Sequence, residues 1–151
     1  RLNGLGSDEA LNLRGKAAIA QAKVAYEMFE QTFSGETWRS LAKLGAQVQR
    51  PLWASTSTKN PAYPDTMYVD ELIGAHSVNT LPDATMDAFS DHGTVAETIT
   101  RDVEGARSVL QALQHAGIDM TAVADQLESE GVVSFQQSFD ELLAVLEAKR
   151  K

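Results

Sequence analysis

The residue types best suited to chemistry lie together at Ser55-Thr56-Ser57-Thr58-Lys59-Asn60, directly after the short apolar run Arg50-Pro51-Leu52-Trp53-Ala54. Hydroxyls, a carboxamide, an ammonium group and the backbone N–H groups of a loop can together surround an anionic oxygen such as that of a phosphate. If the apolar run is a strand, this loop sits at its C-terminal end, where parallel α/β sheets and barrels gather their sites. The plainer alternative is a solvated Ser/Thr turn with an exposed lysine, since such runs are also ordinary turn chemistry. A Schiff-base role for Lys59 would need a desolvated ammonium, and neighbours this polar do not provide one.

Other chemistries find less support. His76, His92 and His115 read as two loop residues and a helix end, without metal-ligand spacing, and His115 before Gly117 suits a helix C-terminal cation. Asp125, Glu128 and Glu130 read as a solvated helix face. No paired-carboxylate, triad or Gly-rich phosphate motif is present. With no cysteine there is no disulfide, thiol nucleophile or thiolate metal site, which fits a reducing compartment. The formal charge of -8 argues against nucleic acid or an anionic membrane as partner, because those surfaces require clustered Lys and Arg. No run approaches the ~18 apolar residues of a membrane span, so a soluble, cytoplasmic protein is expected.

The elements that must position the loop follow from periodicity. Ser7-Asp8-Glu9 starts a long helix to about Phe33, with Ala18, Ala22, Ala25 and Phe29 on its packed stripe and Lys23, Glu27 and Glu30 on a wet side. A second helix runs from Glu36 to Leu44 and stops at Gly45. A buried strand near 51–55, a short helix carrying Met67, Tyr68, Leu72 and Ile73, a second strand near 77–81 and a helix begun by Asp83 and holding Met86 and Phe89 give a βαβ rhythm. Three consecutive helices are expected after Gly93. One carries Val103 to Leu113, one runs from Asp119 toward Gly131, and the last spans Val132 to Ala148 with Phe135, Phe139, Leu142, Leu143 and Leu146 facing inward. Two parallel strands leave two open edges, so further strands are expected from elsewhere. A chain opening on Arg1 without Met is read, in the same sense, as a segment of a longer protein.

The stretch from Arg50 to Tyr63, continuing through Tyr68-Val69-Asp70-Glu71-Leu72-Ile73-Gly74 and Val78-Asn79-Thr80-Leu81-Pro82, closely resembles the transaldolase family. Gly15-Lys16-Ala17-Ala18-Ile19-Ala20 with Ala25-Tyr26, Leu127 to Val132 and Phe139 to Leu143 extend the resemblance over nearly the whole chain. It implies an α/β, helix-rich C-terminal part of a (β/α)8 barrel. Residues 1–151 would form one segment with the last two strands and a C-terminal helical cap over 100–148. It further implies transfer of a dihydroxyacetone unit from sedoheptulose 7-phosphate to glyceraldehyde 3-phosphate through a Schiff base, in the pentose phosphate pathway, without a cofactor. The family's imine lysine and its acid–base Asp and Glu belong to earlier strands, upstream of Arg1, so the segment alone is expected to be inactive. Ser55 and Lys59 match positions at the sugar-phosphate end of the site, and Ser57 and Asn60 join them as phosphate-binding candidates. The expected partners are sugar phosphates and the N-terminal half of the barrel. A non-catalytic helical interaction domain and a fusion to a sugar-phosphate isomerase are the alternatives.

Overall fold

The computed structural model describes residues 1–150. The elements are helices α1 (Leu2–Leu5), α2 (Asp8–Asn12), α3 (Ala17–Thr32) and α4 (Glu36–Lys43), strand β1 (Leu52–Trp53), α5 (Met67–Glu71), strand β2 (Val78–Asn79), α6 (Asp83–His92), α7 (Val103–His115) and α8 (Met120–Lys149). The two strands pair in parallel, with Leu52 opposite Val78 and Trp53 opposite Asn79. Flanking bonds from Val78 N to Pro51 O (2.9 Å) and Thr80 N to Trp53 O (3.0 Å) extend the ladder by a residue at each end.

The long first helix expected from Ser7 is in fact two. Ser7 caps α2 by accepting from Ala10 N at 3.2 Å, and the chain then turns at Leu13–Lys16 before α3 begins. Gly15 makes the turn at φ +78°, and a Cβ built there would lie 3.0 Å from the Tyr63 ring, so only glycine gives both the backbone angle and the space.

The packed face of α3 is rotated from the expected stripe. Ala20, Lys23 and Tyr26 are its buried residues, whereas Ala18 and Ala25 are exposed. Lys23, expected on the wet side, is 8% exposed. Its ammonium is retained inside because it donates to Glu71 Oε2 at 3.1 Å and to the Arg101 carbonyl at 3.2 Å, tying α3 to α5 and to the entry of α7. Tyr26 donates its hydroxyl to Ala75 O at 2.8 Å. Burial, and then the carboxylates of Glu30 and Glu97, push its pKa up and keep that proton in place.

The core joins Tyr26, Leu72 and Ile99, with Ile19, Ala22, Phe29 and Trp53 packed around them. Ile99 is 0% exposed and sits over Gly74, where an added Cβ would fall 2.3 Å from its Cγ2. Phe29, Phe33 and Trp38 continue the apolar path from α3 to α4, with ring centroids 5.3 and 4.7 Å apart. Helix α7 lies along α3 and is capped by Asp102, whose carboxylate accepts from Gly105 N at 3.0 Å. The Glu27–Arg107 ion pair fastens the two helices on the outer side.

Two further expectations change. Both strands are shorter than expected, and Leu52 is 54% exposed rather than buried, because a two-stranded ladder has no neighbouring sheet to cover it. Met86 of α6 is also exposed, while Thr85 is that helix's buried residue. Among the described residues only two helices follow Gly93 and α6, since α8 runs unbroken through Gly131 for 30 residues, about 45 Å at 1.5 Å per residue. A single helix glycine costs about 0.5–1 kcal/mol, too little by itself to end a helix of this length. Its apolar stripe is not inward: Phe135 is 81% exposed, and Phe139, Leu142, Leu143 and Leu146 are exposed with it. No described helix is long and apolar enough to cross a membrane.

Candidate functional site

Beyond Trp53 the backbone leaves β1 and turns sharply. Ser55 takes the left-handed conformation at φ +57°, a setting uncommon for a residue with a Cβ. The next side chain, Thr56, is 4% exposed. Its hydroxyl donates to Asn79 Oδ1 at 2.8 Å and lies 3.4 Å from the Thr80 carbonyl. The loop is therefore tied to the end of β2 as well as to β1, and the C-terminal ends of both parallel strands meet there.

The rest of the loop is built by local bonds. Thr58 donates to Pro64 O at 2.9 Å. Asn60 Oδ1 accepts from Ala62 N at 3.0 Å and its carbonyl accepts from Tyr63 N at 3.1 Å, closing an Asx-type turn. Lys59 Nζ donates to Ser57 Oγ at 2.5 Å. Of the four candidates, Ser55, Lys59 and Asn60 are exposed and Ser57 is half-buried.

All four line one concavity of about 420 Å³. Its walls come from Ala18 and Ala22 of α3, Trp53 and Tyr63, and Tyr68 and Leu72 near α5. Lys59 is the one charged residue on this wall among the described residues. The indole Nε1–H of Trp53 is buried and meets no acceptor among the described residues. The arrangement offers a cation, two hydroxyls and loop amides beside an apolar wall, which suits an anionic group on a small polar molecule. Lys59 is exposed rather than desolvated, the opposite of what an imine-forming lysine requires.

A larger space of about 590 Å³ between α3, α7 and the start of α8 is lined by Gln21, Gln111, Gln114 and Asp119. Asp119 is already engaged there as the α8 cap, accepting from Thr121 N and Ala122 N, so the cavity has little chemistry to offer. Among the described residues, no three His, Asp or Glu side chains converge on a metal-sized site.

Sequence reasoning missed two features of the site's surroundings. Thr56 stood undistinguished in the hydroxyl run, although it is the buried member. His92, expected in a loop, is the last residue of α6. Its Nε2 lies 2.9 Å from Asp65 Oδ1 and its Nδ1 lies 3.1 Å from Asp91 Oδ2. The hydrogen bond to Asp65, then that to Asp91, pushes the imidazole pKa up, and the bond to His92 holds the Asp65 carboxyl below its ordinary value.

The profile of the transaldolase/fructose-6-phosphate aldolase family matches residues 1–146 of the chain. The chain belongs to that family. Among its relatives, a transaldolase of Parafrankia sp. (strain EAN1pec) is 54% identical over 144 residues, covering 95% of this chain and 39% of the relative. Transaldolase 1 of Streptomyces coelicolor is 48% identical over 147 residues, with 97% and 39% covered. A transaldolase of Neisseria meningitidis serogroup C is 50% identical over 135 residues, with 89% and 38% covered. The chain thus spans about two fifths of the length of the transaldolases it matches. Family membership extends across both strands and the candidate loop, and reaches into the distal half of α8.

Proposed function

We propose that this chain is the C-terminal segment of a transaldolase and supplies the phosphate-facing edge of its active site. In this reading β1 and β2 are the last two strands of a (β/α)8 barrel, residues 100–148 form its helical cap, and the first six strands complete it. The observation that carries the reading is the meeting of Lys59, Ser57 and Ser55 on one concave wall, at the C-terminal ends of two parallel strands. Barrels place their chemistry at that end of the sheet, and often a phosphate there after the last strands.

The reaction would be transfer of a dihydroxyacetone unit from sedoheptulose 7-phosphate to glyceraldehyde 3-phosphate. A lysine upstream of this segment forms an imine with the ketone carbon. Water leaves as the imine forms; the C3–C4 bond then breaks as the C4 hydroxyl gives its proton to an upstream carboxylate and departs as an aldehyde, its electron pair held in the protonated imine until the acceptor aldehyde captures it and water frees the new ketose. The present residues would hold the far, phosphate end of the sugar. Lys59 supplies a charge-assisted bond, and Ser55, Ser57 and Asn60 supply neutral donors. Reading the chain as a non-catalytic helical interaction domain leaves the convergence of strand ends and cation without a role.

Borohydride trapping with fructose 6-phosphate tests the division of labour. The 151-residue chain should acquire no reduced sugar adduct, while the full-length protein should acquire one. An adduct on the 151-residue chain alone would overturn it.

A further inference from the structure

The loop divides by parity. Thr56 and Thr58 donate their hydroxyls to the scaffold, to Asn79 Oδ1 at 2.8 Å and Pro64 O at 2.9 Å, and Asn60 gives it only its Oδ1, accepting from Ala62 N at 3.0 Å and keeping its Nδ2 donor for the cavity. The alternating residues do not. Lys59 is bonded only to Ser57 within the loop, and Ser55 has no side-chain partner among the described residues. Of the scaffold-facing set, Thr56 alone is buried, and its bond reaches to the neighbouring strand across 23 residues of sequence.

We infer that Thr56 is a positioning residue, a latch that fixes the anion-facing side chains of Ser55, Ser57 and Lys59 by joining the loop after β1 to the end of β2. A hydroxyl has one proton. Given to Asn79 Oδ1, that proton fixes the rotation of the Thr56 side chain and, through it, the backbone on both sides. Ser55 immediately before it is held at φ +57°, a conformation that persists only where its surroundings over-determine it. Without the latch, Ser55 relaxes toward the extended region and Lys59 swings with the loop. Thr56 donates nothing to a ligand and acts through its neighbours. The inference rests on the phosphate-binding role proposed above for its binding consequence, though not for its structural one.

The test uses the full-length protein carrying this segment, labelled with 15N, with inorganic phosphate as the probe. Thr56→Val keeps the shape and removes the donor, Thr56→Ser keeps the donor, and Asn79→Ala removes the acceptor from the other side. Both Thr56→Val and Asn79→Ala should speed exchange of the hydrogen-bonded amides on either side of the latch, Ala62 and Tyr63 in the loop and Thr80 after β2, by roughly three- to tenfold, the equilibrium factor of one net hydrogen bond. Amides of α3 and α7 should exchange at parent rates, and Thr56→Ser should restore the loop. Phosphate binding should weaken by a similar factor in the two loosened variants. Unchanged loop exchange in Asn79→Ala, or in a folded Thr56→Val, overturns the latch. Loosened exchange in a chain that binds no phosphate even as the parent supports the latch and counts against the phosphate reading instead.

Discussion

Single residues explain why the loop was visible in the sequence while its supports were not. A hydroxyl run ending in Lys59 and Asn60, just after an apolar strand, carries its meaning locally. The His92–Asp65 contact joins residues 27 apart, and no spacing rule reports it. Lys23 reads as a surface lysine until Glu71 and the Arg101 carbonyl are found beside it. The His92 pair makes a pH prediction. The imidazole pKa is raised above its ordinary 6.5, so the contact's contribution to stability is whole below that value and fades as pH rises through the raised one. The Asp65 carboxyl is lowered from its ordinary 3.8, so its contribution is present above that value and fades as pH falls through the lowered one. The clasp between α6 and the loop before α5 is thus strongest between the two ordinary values. An NMR titration of the His92 ring should show a raised midpoint that moves down in Asp65→Asn. An unmoved midpoint would remove Asp65 as its partner.

Elements were legible where a cap or a periodic stripe marked them, as with Gly45 after α4, the Val103 to Leu113 stripe of α7 and Asp119 before α8. They were misread where glycine was ambiguous. Gly15 breaks a helix because its backbone is left-handed, whereas Gly131 continues one. Replacing Gly131 with Ala should therefore stabilise α8 by about 0.5–1 kcal/mol, seen as a higher Tm by circular dichroism. A loss of helicity would mean that a break at Gly131 is the preferred state. Gly74 is the opposite case, because its Cβ would collide with Ile99 Cγ2 at 2.3 Å. Gly74→Ala should cost about 1–3 kcal/mol, the range for overpacking a filled core, and Ile99→Ala about 2–5 kcal/mol, both read from denaturant midpoints. A neutral Gly74→Ala would show that the packing of α5 against the 98–101 turn yields easily.

At the scale of the whole molecule, the local pattern established an α/β rhythm with two strands, but not how much of each strand would pair. Pairing length depends on neighbours, and the described chain provides β1 with one. The same reasoning covers α8, whose stripe of Val132, Phe135, Phe139, Leu142 and Leu146 has helical spacing and no apolar surface to meet. In the proposed reading both belong to a larger barrel that covers the strand edges and gives the helix its seat, with the 55–60 loop facing the sugar phosphate. The most direct test of that claim is the steady-state kinetics of Lys59→Ala in the full-length protein carrying this segment. Loss of one charge-assisted hydrogen bond of about 1.5–3 kcal/mol predicts a KM for sugar phosphates raised by roughly ten- to a hundredfold at little-changed kcat. An unchanged KM would contradict the placement of the phosphate at this loop.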